Sequence, residues 1–252
     1  MKKRGTFVTE KGINALVTGA SQGIGKAIAL DLALKGYGVV VTARNEKLLN
    51  KVCEEITLLG GVANYVYADI GTDKGIERIT NFLQSANLNI NVLINNAAII
   101  HKSTSLVNFQ MDEWERVVQV NLIGAVKITK ALLPTMIGAN YGKIVNISSI
   151  GGRKGAAGRS AYRVTKAGLI SFTESLAAEV KEHGIDVNCI CPGSVLTEGY
   201  VDAFGEASKS NPNMMEPSEI AKLCSFLVSN EASSVTGAII DAFGNSNPLF
   251  KT

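Results

Sequence analysis

The chain has 252 residues, 46% hydrophobic and 19% charged, which suits one large α/β domain with a core of its own. A formal charge of +3 is too small to imply a nucleic-acid partner, and the Lys2-Lys3-Arg4 cluster leads into no apolar stretch of a secretory signal. No uninterrupted apolar run reaches the roughly 18 residues of a membrane span, so a soluble, cytoplasmic protein without a membrane or nucleic-acid partner is expected.

Short apolar runs rich in Val and Ile predict strands at 15–18, 38–42, 63–67, 92–95, 143–147, 186–190 and 238–240. Helical spacing is read at 25–35, 112–136, 161–183 and 217–229, the last opening on Pro217-Ser218-Glu219. The alternation predicts a single domain over 1–252, an α/β doubly wound parallel sheet of Rossmann type with helices on both faces. The first eleven residues read as a flexible N-terminus. Residues 194–216 carry Gly, Pro, Ser and Asn with little strand pattern and follow a strand end, which suggests a substrate lid.

The first strand runs into Thr18-Gly19-Ala20-Ser21-Gln22-Gly23-Ile24-Gly25 and then a helix. Glycines let the backbone approach a pyrophosphate, and the helix N-terminus offers free N–H donors. The spacing is G-x-x-x-G-x-G, not the G-x-G-x-x-G of the familiar dinucleotide fingerprint. At the end of the second strand no carboxylate stands ready for a ribose 2′-hydroxyl. Arg44 lies just past it instead, where a guanidinium suits the 2′-phosphate of NADP(H), with NAD(H) left open. The third strand leads to Asp69 and Ile70, fit for an adenine amino group and an apolar wall. The fourth leads to Asn95-Asn96-Ala97-Ala98, where Asn95 can satisfy backbone groups and Ala97 leaves room for a flat ligand.

Tyr162-Arg163-Val164-Thr165-Lys166 carries the reacting groups. On a helix, positions four apart share a face, and an ammonium beside a phenol favours the phenolate. Thirteen residues before Tyr162, Ser149 ends a strand at the same sheet edge and can polarise a substrate carbonyl. Asn121 is an amide inside an apolar helix and needs a partner. His101 follows the fourth strand within possible reach of the pocket, and His183 before Gly184 reads as a helix C-terminal residue. Cys189 and Cys191, two apart on a strand, share a face and read as buried thiols; with Cys53 and Cys224 they form no metal-ligand spacing.

The ordered set of the glycine turn, Asn95 to Ala98, Asn121, Ser149, Tyr162 with Lys166, and Pro192-Gly193 resembles the short-chain dehydrogenase/reductase family, in particular its 3-oxoacyl-acyl-carrier-protein reductase-like branch. The resemblance implies a sheet of about seven strands and hydride exchange between NADP(H) and a ketone. In it Tyr162 exchanges a proton with the substrate oxygen, Ser149 positions that oxygen, and Lys166 binds the nicotinamide ribose and lowers the Tyr162 pKa. Asn121 would hold a relay water, while Pro192, Gly193 and Thr197 border the nicotinamide. A homotetramer or homodimer acting on a small carbonyl or alcohol is implied as well. Gln22, Ala98 and Asp241-Ala242-Phe243-Gly244-Asn245 depart from the usual family pattern. Two other readings are an NAD-dependent alcohol or sugar dehydrogenase and a non-catalytic dinucleotide-binding redox sensor, which would need none of the Asn/Ser/Tyr/Lys set.

Overall fold

The computed structural model describes residues 12–244; the predicted flexible N-terminus and Asn245 lie outside them. Seven strands form one parallel sheet in the order β3-β2-β1-β4-β5-β6-β7. They are β1 (Asn14–Thr18), β2 (Gly38–Ala43), β3 (Val62–Tyr67), β4 (Val92–Asn95), β5 (Gly142–Ile147), β6 (Ile185–Pro192) and β7 (Ile239–Ala242). Each predicted strand is present, displaced by no more than two residues at an end. Parallel strands need crossovers, and these place α1 (Gly23–Leu34), α2 (Glu46–Leu58) and α8 (Pro217–Leu227) on one face. On the other lie α3 (Asp73–Ser85), α5 (Gly124–Ala139) and α6 (Ser160–Val180).

Strand alternation divides the core in two. Ala15, Val17, Val92, Ile94, Val145 and Ile190 pack toward α1 and α8, while Leu16, Leu93, Ile144 and Val187 pack toward α3, α5 and α6. Because both faces are covered, β2 reads as a continuous apolar run, with Val39 and Val41 in one layer and Val40 in the other, and not as an alternating one. Cys189 and Cys191 are fully buried on β6 with sulfurs 3.9 Å apart, on one face as expected. Helices α2 and α3 were not singled out from the sequence, although Leu49, Val52 and Ile56 are spaced for burial on a helix. Asn45 and Thr72 cap them, accepting from the N–H groups of Leu48 and Gly75.

The predicted helix 112–136 is longer and irregular. It comprises α4 (Met111–Val118), a π-helical turn over Gln119–Ile123, and α5. By length and composition the run Met111–Ala139 is apolar enough to cross a membrane, which the search for uninterrupted apolar stretches passed over. Here its Val117, Ile128, Leu132 and Met136 are buried in the core. Residues 194–216 are also more ordered than their composition suggests. They hold α7 (Glu198–Phe204), a 3-10 turn at Glu206–Ser210, and a parallel bridge between Val195 and Met215 that closes the segment at its base. His183 ends a 3-10 turn after α6, and Gly184 follows at φ +63°.

Candidate active site

The sheet order reverses direction between β1 and β4, and the strand ends there open into a cleft of about 950 Å³. Its floor at one end is the glycine turn. Gly19 has φ +64°, and a Cβ on it would sit 2.6 Å from the Ala97 Cα. A Cβ on Gly25 would lie 2.4 Å from both the Gly19 carbonyl oxygen and Asn96 Nδ2, so both positions exclude a side chain for contact reasons. The N-cap of α1, Gln22, makes no side-chain cap and the first turn holds no acidic residue, leaving its N–H groups for an anion. A pyrophosphate fits this cradle. We expect Gly25→Ala to cost about 1–3 kcal/mol in chemical denaturation and to weaken dinucleotide binding; wild-type values for both would show that the turn tolerates crowding.

Toward the ribose end the cleft is lined by Arg44, Asp69, Ile70 and the partly buried Leu48. Arg44 is exposed and makes no ion pair among the described residues, which leaves its guanidinium to a ligand. Asp69 is engaged already: one oxygen accepts from the Gly71 N–H at 3.0 Å and the other pairs with Arg116. Ser21, Gln22, Gly23, Ile24, Ala97, Pro192, Gly193 and Thr197 line the same cleft. Thr197 caps α7 and would meet any side chain added at Gly23 within 3.1 Å.

Asn95 is corrected. It is 3% exposed and does not line the cleft; its Nδ2 donates to Thr129 and Asn146, beneath the sheet edge. The pleat turns alternate residues to opposite sides, and Asn96 takes the rim position, donating to the carbonyls of Thr18 and Gly19. The repeated Asn held the signal, and the choice between the two needed the register. Asn121 also stands off the cleft. Inside the π-helical turn its Oδ1 accepts from the Ile99 N–H at 2.7 Å, and its Nδ2 donates to the Ile99 carbonyl and to Thr165. It therefore ties the segment after β4 to α6. His101 is buried, not solvated, and it too lies outside the lining. Its ring accepts from the Tyr162 N–H at 3.4 Å and meets Phe109 edge-on.

At the other end Ser149, Tyr162 and Lys166 come together. Ser149 follows β5, its Oγ accepts from the Gly151 N–H at 3.0 Å, and it lines the cleft together with the Tyr162 phenol. Lys166, one turn along α6, is 2% exposed and donates from Nζ to the Ile147 carbonyl at 2.7 Å. Burial pulls its pKa down to about 8, with partial opposition from Cys189 and Cys191. The Tyr162 pKa is raised, above all by burial, against the pull of the Ser149 hydrogen bond and then of Arg159 and Arg163. The sequence assigned that pull to Lys166. Its Nζ lies 5.6 Å from the Tyr162 ring centroid and donates to the Ile147 carbonyl, and Arg159 and Arg163 add two further cations near the phenol. Both line the cleft and were missed, although spacing of one helical turn places them on one side of α6. A phenol and a serine hydroxyl that line the same end of such a cleft form an arrangement for giving a proton to a polarised carbonyl oxygen.

The family model described as short chain dehydrogenase matches residues 14–205. The 3-oxoacyl-[acyl-carrier-protein] reductase of Pseudomonas aeruginosa is 36% identical over 240 residues, covering 93% of this chain and 97% of that one. A crystal structure of a 3-oxoacyl-[acyl-carrier protein] reductase with bound NAD from Brucella melitensis superposes with a TM-score of 0.83 at 34% identity, over 93% of this chain and 91% of that one. A single-substitution variant of actinorhodin polyketide ketoreductase with NADPH gives 0.86 at 30% identity, over 96% and 100% of the two chains.

Proposed function

The chain belongs to the short-chain dehydrogenase family of NAD(P)-dependent oxidoreductases, and we propose that it reduces a ketone, such as a 3-oxoacyl thioester, to a secondary alcohol with NADPH. The observation that carries this reading is the convergence of the Tyr162 phenol, the Ser149 hydroxyl and the Lys166 ammonium at one end of the cleft. Tyr162 gives its proton to the substrate oxygen. Ser149 holds that oxygen and polarises the carbonyl. Lys166 offers a buried ammonium for the nicotinamide ribose, and Asn121 keeps Thr165, and with it this turn of α6, in place. The bound nicotinamide supplies the hydride.

The preference for NADPH rests on Arg44. A charged hydrogen-bonding pair with a 2′-phosphate is worth about 1.5–3 kcal/mol. Arg44→Ala is therefore expected to weaken NADPH by about ten- to a hundredfold and NADH by less than about threefold, read by titrating cofactor fluorescence. Equal losses for the two would remove the phosphate contact. The activity itself is tested by NADPH consumption with acetoacetyl-coenzyme A and a broad carbonyl panel; no acceleration above background by any of them would overturn the reading.

A further inference from the structure

Two guanidinium groups flank Tyr162 and take no part in the steps assigned above. Arg159 immediately precedes α6, and Arg163 lies one turn on, its N–H bonding the Arg159 carbonyl at 3.0 Å. Both are half-buried and line the cleft with Tyr162 and Ser149. Arg159 donates to the His101 carbonyl, and its guanidinium lies 4.1 Å from the centre of the Phe204 ring. Phe204 is itself stacked on Tyr200 at 4.3 Å. Arg163 donates to the Lys154 carbonyl. These contacts hold both cations in place and neutralise neither.

Among the described residues neither arginine has a carboxylate partner. The carboxylates that line the cleft are placed elsewhere: Asp69 is paired with Arg116, and Glu198 stands beside Gly23. Like charges one helical turn apart repel, and removing them from water adds to the cost. Burial and Arg163 both push the Arg159 pKa down, so this repulsion is felt in the folded protein. An oxyanion bound by guanidinium donors relieves that repulsion.

We propose that Arg159 and Arg163 form an oxyanion-binding wall of the substrate cleft, so that the ketone reduced beside Tyr162 carries a carboxylate or a phosphate. The inference rests on the carbonyl-reduction reading and narrows its substrate class. Ile100, Ile150 and the Phe204 ring give the cleft apolar surface for the carbon chain between the two groups.

The test compares matched pairs by NADPH consumption: 3-oxobutanoate and 4-oxopentanoate against their methyl esters, and dihydroxyacetone phosphate against dihydroxyacetone. The charged member of at least one pair is expected to lead by about tenfold or more in kcat/KM, and that pair tells carboxylate from phosphate. Arg159→Ala and Arg163→Ala should each cut the ratio by about tenfold, chiefly through KM, and Arg159→Lys should restore part of it. In parallel, malonate and inorganic phosphate are titrated calorimetrically into the protein saturated with NADPH, with at least about tenfold weaker binding expected in the double alanine variant. Ratios near one together with anion binding that ignores both arginines would overturn the proposal. Arginine-dependent anion binding without turnover of any carbonyl would keep the wall and sink the reduction reading instead.

Discussion

Tyr162→Phe is expected to lower carbonyl reduction by about a thousandfold while leaving NADPH affinity within about threefold of wild type. The substitution removes one oxygen. The ring keeps its place on α6, and no backbone group loses a partner, since the Tyr162 N–H still donates to His101. What disappears is the proposed proton donor at the Ser149 end of the cleft. The effect should fall on kcat, because a proton transferred only as the transition state forms adds little to ground-state binding. Steady-state kinetics, cofactor titration and urea denaturation on the same preparation check the three parts. A variant that retains more than about a tenth of wild-type kcat would take the proton-donor role from Tyr162. The pH profile adds an independent reading: because burial raises the phenol pKa, reduction should hold level through neutral pH and fall only on the alkaline side.

Much of this geometry was legible in the sequence, and the reason is physical. A strand covered on both faces is mostly apolar, so the inner strands stood out as short runs of Val, Ile and Leu, and the partly exposed edge strands β3 and β7 were legible from the same residue types. The glycine turn was legible because Gly19 and Gly25 each meet backbone or an amide where a Cβ would be. Reading failed where three-dimensional register decides. Asn95 and Asn96 are equivalent as letters, yet the pleat buries one and brings the other to the rim. The π-helical turn that aims Asn121 at Ile99 has no composition signal of its own. Arg159 and Arg163 were visible as charges beside Tyr162, but their lack of acidic partners is a property of the packed structure. Helices α2 and α3 carry more surface than core, with Leu58 86% exposed, and so stand out less from loop than the strands do.

Lys166→Met is the second large effect, and it separates function from stability. Removing the ammonium proposed to hold the nicotinamide ribose should cut turnover by at least about a hundredfold. Stability should move the other way as pH is varied. A lysine whose pKa falls from 10.5 to about 8 carries a burden of about 3 kcal/mol in the folded state at pH 7. Methionine has similar length and no charge to desolvate, but it leaves the Ile147 carbonyl without its donor, at a cost of about 1–3 kcal/mol. The two nearly offset at pH 7, so the variant should fold with stability close to wild type. Between pH 8 and 10.5 the unfolded chain still holds the lysine proton that the folded chain has released. Wild-type stability therefore rises with pH over that window, by up to about 3 kcal/mol relative to the variant. Urea denaturation of both proteins at pH 7 and at pH 10 measures the difference directly. A difference that stays constant would mean that the Lys166 ammonium is not destabilised by its surroundings. A rising one would show that the fold tolerates a costly buried cation at this position of the cleft.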